Sequence, residues 1–346
     1  MKIVSKVIDG EEVSQISLIN NQGVQARFLT LGATWQAYLV PQNDGSYKNL
    51  VLGHEKASDY LANNICAGQS IGRVAGRIGK GQVTLSGKTY QLPQNNFSNC
   101  LHGGPEGFHR QNWDFDSRQT DDFLELTFSY RAKEEVDGFP ADMTVQAVYR
   151  LANDNSLSVT YRAFQANHDT LFNPTCHAYF NLSKEATLTS HSLYLAADER
   201  LETDEHLIPT GRFLPVEDTA YDFRIASPLQ KRIEHIGGLD DAFLVKSSLE
   251  DPIATLTDND SGDQVSIFSE RNAIVVYSFN YPEEGVVFER SKERFNLKHE
   301  GLALEAQTLP DAINHENFGD TFLLKNQDLS YTIRYQFNLP SLFPKK

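Results

Sequence analysis

The stretch Asn173-Pro174-Thr175-Cys176-His177-Ala178-Tyr179-Phe180-Asn181-Leu182 decides how the rest of the chain is read. Pro174 fixes its own φ and pushes Asn173 towards an extended backbone, and the β-formers Thr175, Tyr179 and Phe180 follow. This predicts a strand. On a period of two, Thr175, His177 and Tyr179 share one face while Cys176, Ala178 and Phe180 share the other. One face reads as core and the other as the wall of a cleft that carries a histidine. The plainer reading of His177 is a core histidine satisfied by a buried hydrogen bond.

Outward from this stretch the alternation recurs. Ile16 and Leu18, the turn Asn20-Asn21-Gln22-Gly23, then Val24, Ala26 and Phe28 read as a hairpin. Ala33, Trp35, Ala37 and Leu39 alternate up to the turn residues Pro41-Gln42-Asn43-Asp44-Gly45. Val83 and Leu85 face Tyr90 and Leu92 across Ser86-Gly87. Leu124 to Tyr130, Met143 to Leu151 and Leu157 to Ala163 predict long antiparallel meanders, and Ile274 to Phe279 and Tyr331 to Phe337 add further strands. Ser58-Asp59-Tyr60-Leu61 reads as one helical turn. Between Leu182 and Pro228 the chain reads as irregular, its carboxylates mostly solvated in loops. The expected fold class is all-β: a single domain over residues 1–346, a large antiparallel β-sandwich with very little helix and a cleft along one sheet.

Composition agrees with sheets and narrows the partners. Phe and Tyr number 21 and 14 against 2 Trp and 2 Met. A net charge of −15 leaves no basic surface for nucleic acid or an anionic membrane. The start, Met1 to Lys6 followed by Asp9, Glu11 and Glu12, lacks a signal-peptide core, and no apolar run reaches the ~18 residues of a membrane span. A soluble cytoplasmic protein is expected. Cys66, Cys100 and Cys176 fit a reducing compartment. Cys100 with His102 and Cys176 with His177 suggest a metal site, but neighbours on a strand point to opposite faces, so the thiols read as small buried hydrophobes.

Four further segments carry polar chemistry. Gly72-Arg73-Val74-Ala75-Gly76-Arg77-Ile78-Gly79-Lys80-Gly81 lacks the lysine and the strand–helix context of a phosphate loop, so its glycines read as allowing close backbone approach that fixes Arg77 as a fork of donors; a solvated arginine is the alternative. Leu101-His102-Gly103-Gly104-Pro105-Glu106-Gly107-Phe108 is a loop that puts His102 on a surface or in a cleft. Gly237-Gly238-Leu239-Asp240-Asp241 brings paired carboxylates to an apolar strand, or forms a simple turn. In Leu302-Ala303-Leu304-Glu305-Ala306-Gln307, Leu302, Leu304 and Ala306 take one face, leaving Glu305 and Gln307 on the other, where partial burial would raise the carboxyl's pKa.

Taken in order, Gly72-Arg73 to Arg77-Ile78, Leu101-His102-Gly103-Gly104, the Asn173 to Leu182 stretch, Gly238-Leu239-Asp240 and Leu304-Glu305 resemble the aldose 1-epimerase (galactose mutarotase) family from end to end. The resemblance implies a galactose mutarotase-like supersandwich, an isomerase acting on a small aldose, no metal and no cofactor. Carried over residue by residue, it makes Glu305 the general base and His177 the general acid, with Arg77, His102 and Asp240 holding the sugar and Tyr179 touching it. Gly76 stands where many relatives have asparagine, which puts substrate preference in question. Trp35 and Phe279 are aromatic faces for the cleft or for the core. Two rivals accompany this reading. One is a hexose-phosphate epimerase, kept open by Arg73 and Arg77; the other is a non-catalytic sugar-binding sensor. A monomer and a homodimer are equally compatible with the sequence.

Overall fold

Alternating apolar residues need a partner layer on one side only, and the chain supplies it by stacking antiparallel sheets. The computed structural model describes residues 1–8, 13–290 and 293–340, so Asp9, Glu11 and Glu12 lie outside the described residues. Lys2–Val7, Ser14–Ile19, Gln25–Leu29, Thr34–Pro41 and Tyr47–Asn49 form a five-stranded meander. A nine-stranded sheet follows, in the spatial order Asp114–Gln119, Phe123–Ala132, Met143–Ala152, Ser156–Phe164, Leu329–Asn338, Gln264–Ser269, Ala254–Asp258, His191–Leu195 and Ser227–Pro228. The last long strand thus closes the middle of the sheet, between Ser156–Phe164 and Gln264–Ser269.

The third large sheet has seven strands, ordered Pro209–Pro215, Ala197–Thr203, Asp240–Val245, Ala273–Tyr277, Leu302–Gln307, Tyr179–Phe180 and Val51–Leu52. Its alternation separates two environments. Phe180, Phe243, Ile274, Val276, Leu302, Leu304 and Ala306 enter the main core with Trp35, Tyr149, Tyr161 and Tyr335. Ala242 and Ala273 belong to one smaller apolar cluster, and Tyr179 and Ala303 to another. The faces predicted for Leu302–Gln307 are therefore the faces observed.

Two expectations need correction, and one helix is added to them. The strand predicted from Thr175 to Phe180 is broken: Thr175–Cys176 pairs with Ser70–Ile71, and Tyr179–Phe180 pairs with Leu302–Ala303 and Val51–Leu52. His177 sits at the handover, its N–H donating to Gln69 O at 3.0 Å and its carbonyl accepting from Gly68 N at 2.8 Å. The alternation survives the break, because Cys176, Ala178 and Phe180 all enter the core. The stretch read as irregular contains His191–Leu195 and the edge hairpin Ala197–Thr203 with Pro209–Pro215. An edge hairpin carries charge on its exposed side, here Glu202 with Thr210 and Arg212, and that charge hides the strand period. Finally, Leu229–Ile236 is a helix that went unread; Ala57–Ala62 and Glu134–Asp137 are the other α-helices among the described residues.

Candidate functional site

The site is built on the face of the seven-stranded sheet turned away from the main core. Residues directly opposite one another on paired strands share a face. Val275 lies opposite Glu305, Ala273 opposite Gln307, and Tyr277 opposite both Ala303 and Asp240. Asp240, Tyr277, Glu305 and Gln307 therefore face one side. Asp241, on the opposite face, is held by Arg200 at 3.2 Å. Gly238 allows this approach because at φ +127° it lies against the Asn280 side chain, where a Cβ would come within 2.2 Å of Oδ1.

The broken strand delivers the imidazole. His177 Nε2 lies 3.3 Å from Glu305 Oε1, with side-chain exposures of only 6% and 3%. His177 Nδ1 and Glu305 Oε2 are buried and have no hydrogen-bond partner. The His102 ring stands edge-on to His177 at 5.4 Å and 81°. It is held by Gly76, whose N–H donates to His102 Nδ1 at 3.3 Å while its carbonyl accepts from His102 N at 2.9 Å. Arg77 begins a two-residue strand paired with Cys100–Leu101 and donates through Nε to Asn96 Oδ1 at 3.1 Å. Among the described residues its two terminal nitrogens have no protein partner, so the fork is fixed at one end and open at the other. Tyr179 is placed differently from the groups around it: its ring flanks His177 at 4.9 Å, and its hydroxyl donates to Ile65 O at 3.2 Å.

Burial sets the electrostatics. It pushes the Glu305 carboxyl up to about 8, helped by the Asp240 charge and opposed by Arg77. It lowers His177 to about 4 and takes His102 well below the usual imidazole range. Asp240 is raised by burial and pulled back by Arg77. Both members of the central pair thus disfavour their charged forms. Between about 4 and about 8 they hold one titratable proton between them.

The sequence reading missed Gln307. It is fully buried, both amide atoms lack partners, and its nitrogen approaches Gly76, where a Cβ would lie 3.3 Å away. The signal was present, two residues after Glu305 on the same face. Trp35 and Phe279 belong to apolar clusters instead of lining the cleft. Cys100 and Cys176 fall in separate clusters, and no group of three or more His, Cys, Asp or Glu side chains among the described residues could hold a metal ion. An open basin of about 920 Å³ elsewhere, lined by Arg27, Tyr47, Lys48, Lys184 and Glu289, carries none of these groups.

A carboxyl and an imidazole in contact, next to a half-free arginine and a second carboxyl, can exchange protons with a polyhydroxylated molecule. The sequence profile of the aldose 1-epimerase family matches residues 14–336. The chain belongs to the aldose 1-epimerase family. It is 47% identical over 339 residues to an aldose 1-epimerase of Streptococcus thermophilus, covering 97% of each chain. It is 36% identical to a maltose epimerase of Levilactobacillus brevis, covering 97% of this chain and 98% of the relative. The fold matches the crystal structure of a galactose 1-epimerase from Lactobacillus acidophilus with a TM-score of 0.84 at 26% identity, covering 98% of both. This member of the family is a β-rich isomerase that interconverts the anomers of aldoses. No helix among its described residues is long and apolar enough to cross a membrane.

Proposed function

We propose that Glu305 and His177 are the base and acid with which the enzyme interconverts the α and β anomers of free aldohexoses such as D-galactose and D-glucose. The observation that carries this is the buried contact of 3.3 Å between them, with one unpartnered atom on each side chain. Moving the pair's proton from carboxyl to imidazole makes a carboxylate and an imidazolium. Glu305 then takes the proton from the C1 hydroxyl while His177 gives one to the ring oxygen. The C1 to ring-oxygen bond breaks, an open-chain aldehyde forms, and the pair is neutral again. Rotation about the C1–C2 bond and reversal of both transfers closes the ring on the other face. A positioned acid or base contributes ~10²- to 10⁴-fold, enough to matter for a reaction that water already performs slowly.

Arg77, His102 and Asp240 hold the sugar hydroxyls in this reading, with Arg77 and Asp240 fixing C1 against Glu305. Gln307 offers a further amide beside Gly76, and Tyr179 backs the His177 ring. A phosphorylated sugar would need a second free cation. Arg73 is not available for that, because Asp137 and the carbonyls of Pro140 and Ala141 already occupy it. The enzyme works as one domain in the cytoplasm, as a monomer or homodimer. The family match over most of the chain supports the single domain, and three free buried thiols suit a reducing compartment.

The test is polarimetry on freshly dissolved α-D-galactose and α-D-glucose, with wild type and with His177→Asn. Wild type is expected to speed relaxation for at least one of the two sugars, and the ratio sets the preference. The variant is expected to stay folded and lose at least ~100-fold in kcat. No acceleration over buffer by wild type would sink the anomerase reading. Unfolding of His177→Asn would return that residue to the core.

A further inference from the structure

Asn173 opens the stretch that carries His177, yet it takes no part in the proton transfers of His177 and Glu305. It is buried, as are Thr175, Thr308 and Arg271 around it. Its side chain behaves as a second peptide group. Nδ2 donates to Thr308 O at 3.1 Å and Oδ1 accepts from Thr308 N at 3.0 Å, so one amide answers both backbone groups of one residue. Its own backbone pairs elsewhere. Asn173 N donates to Arg73 O and Asn173 O accepts from Ala75 N, both at 2.8 Å, in the segment that leads to Gly76 and Arg77.

The place of this amide clamp gives it its meaning. On one side of His177 the backbones pair, with Tyr179 opposite Ala303. On the other side Thr175–Cys176 pairs with Ser70–Ile71, and among the described residues no backbone ladder joins it to Leu302–Gln307. Side chains bridge that gap. Thr175 Oγ1 donates to Ala306 O at 2.9 Å, and Asn173 reaches Thr308. The 3.3 Å contact of His177 with Glu305 therefore lies between backbone rungs and side-chain rungs. Arg271 closes the far end. Its Nη2 donates both to Asn173 Oδ1 and to Thr308 Oγ1, and its guanidinium lies 3.5 Å from the centre of the Tyr331 ring. It makes no ion pair among the described residues, and its Nη1 is buried without a partner. A buried charge without a counter-charge is costly, and here the bonds from Nη2 go to the two ends of the clamp.

We propose that Asn173 is a positioning residue whose amide, held by Arg271, stands in for a β-bridge to Thr308 and sets the distance at which His177 and Glu305 exchange their proton. This rests on the acid–base reading of that pair. Removing the amide leaves both backbone groups of Thr308 unanswered and frees the end of the Glu305 strand to shift against His177. A shift of ~1 Å between reacting groups costs ~10²-fold in rate. The sugar-holding groups hang on other junctions. The backbone bonds of Asn173 to Arg73 and Ala75 survive a change of its side chain, so Arg77 and His102 stay in place.

The experiment measures kcat and KM by polarimetry on α-D-galactose and α-D-glucose, together with the thermal midpoint, for wild type, Glu305→Gln, Asn173→Ala and Asn173→Asp. Asn173→Ala cuts both bonds to Thr308. Asn173→Asp keeps the bonds that Oδ1 accepts and gives Arg271 a counter-charge, so it folds, but it sets a carboxylate oxygen against Thr308 O and opens the clamp. Both variants are expected to lose ~10- to 100-fold in kcat while KM stays within about twofold of wild type. A folded variant with wild-type kcat, whatever its midpoint, would overturn the proposal, because Asn173 would then hold the fold and not the pair. So would a rise in KM at constant kcat, or failure of both variants to fold. A wild type without turnover, or a Glu305→Gln variant as fast as wild type, would overturn the acid–base reading and this proposal together.

Discussion

Two buried pairs lie close to the same glycine-rich segment, and they are buried almost equally. Arg73 and Asp137 have side-chain exposures of 0% and 4%; His177 and Glu305 have 6% and 3%. What differs is how completely each is answered. Arg73 gives Nε and Nη2 to the two Asp137 oxygens at 2.6 and 3.0 Å, and Nη1 to Ala141 O at 2.6 Å and Pro140 O at 3.1 Å. Asp137 also accepts from Phe139 N at 3.0 Å. The His177–Glu305 pair makes one contact and leaves an atom idle on each partner. Burial therefore does not tell the fully answered pair from the one proposed to catalyse. Unspent hydrogen-bonding capacity does, since a buried polar group without a partner costs about 1–3 kcal/mol unless something else answers it.

The comparison is broken most forcefully at its structural end. Arg73→Ala leaves the Asp137 charge buried and alone, and removing one partner of such a pair costs about 3–5 kcal/mol. Chemical denaturation is expected to show a loss of that size, with any folded fraction still binding sugar. A variant as stable as wild type but inactive would mean that Arg73, and not only Arg77, belongs to the site.

The pH dependence of catalysis sharpens the working end. The pair holds one proton between about 4 and about 8, so kcat/KM is expected to be flat across that window. It should fall about tenfold per unit on either side, as the pair loses its proton above or gains a second below. A profile rising steadily past pH 9 would contradict a shared proton.

The smallest expected effect is on stability, and its sign follows from the same shifts. Glu305 is raised by burial, so its contribution is fully present below the ordinary carboxylate range and is lost as pH rises through about 8. His177 is lowered from 6.5 to about 4, so the unfolded chain binds more protons over that range and stability rises with pH there. The two slopes oppose each other below 6.5, and between 6.5 and about 8 the Glu305 slope remains. Over that upper window these two groups alone make the protein less stable as pH rises, by up to about 1.4 kcal/mol per unit.

How much of this was legible in the sequence follows from range. Alternation is local, so Leu302–Gln307 could be assigned its two faces and Glu305 its side from six letters. His177 was assigned its face correctly although its strand is broken, because period two survives a handover between sheets. Arg73 and Arg77 look alike in the sequence, and what separates them is Asp137, 64 residues beyond Arg73. The helix Leu229–Ile236 did carry a signal, in Leu229, Ile233 and Ile236 at helical spacing.

The central claim is that Glu305 is buried for chemistry and not for stability. Glu305→Gln tests it directly, with mutarotation of α-D-galactose and α-D-glucose and the thermal midpoint read on one sample at pH 8. The account expects turnover to fall by at least ~100-fold while the midpoint equals or exceeds that of wild type, because a neutral amide of similar shape replaces a carboxyl whose ionisation burial opposes. A variant that keeps a tenth of the wild-type rate, or one that unfolds well below wild type, would contradict it.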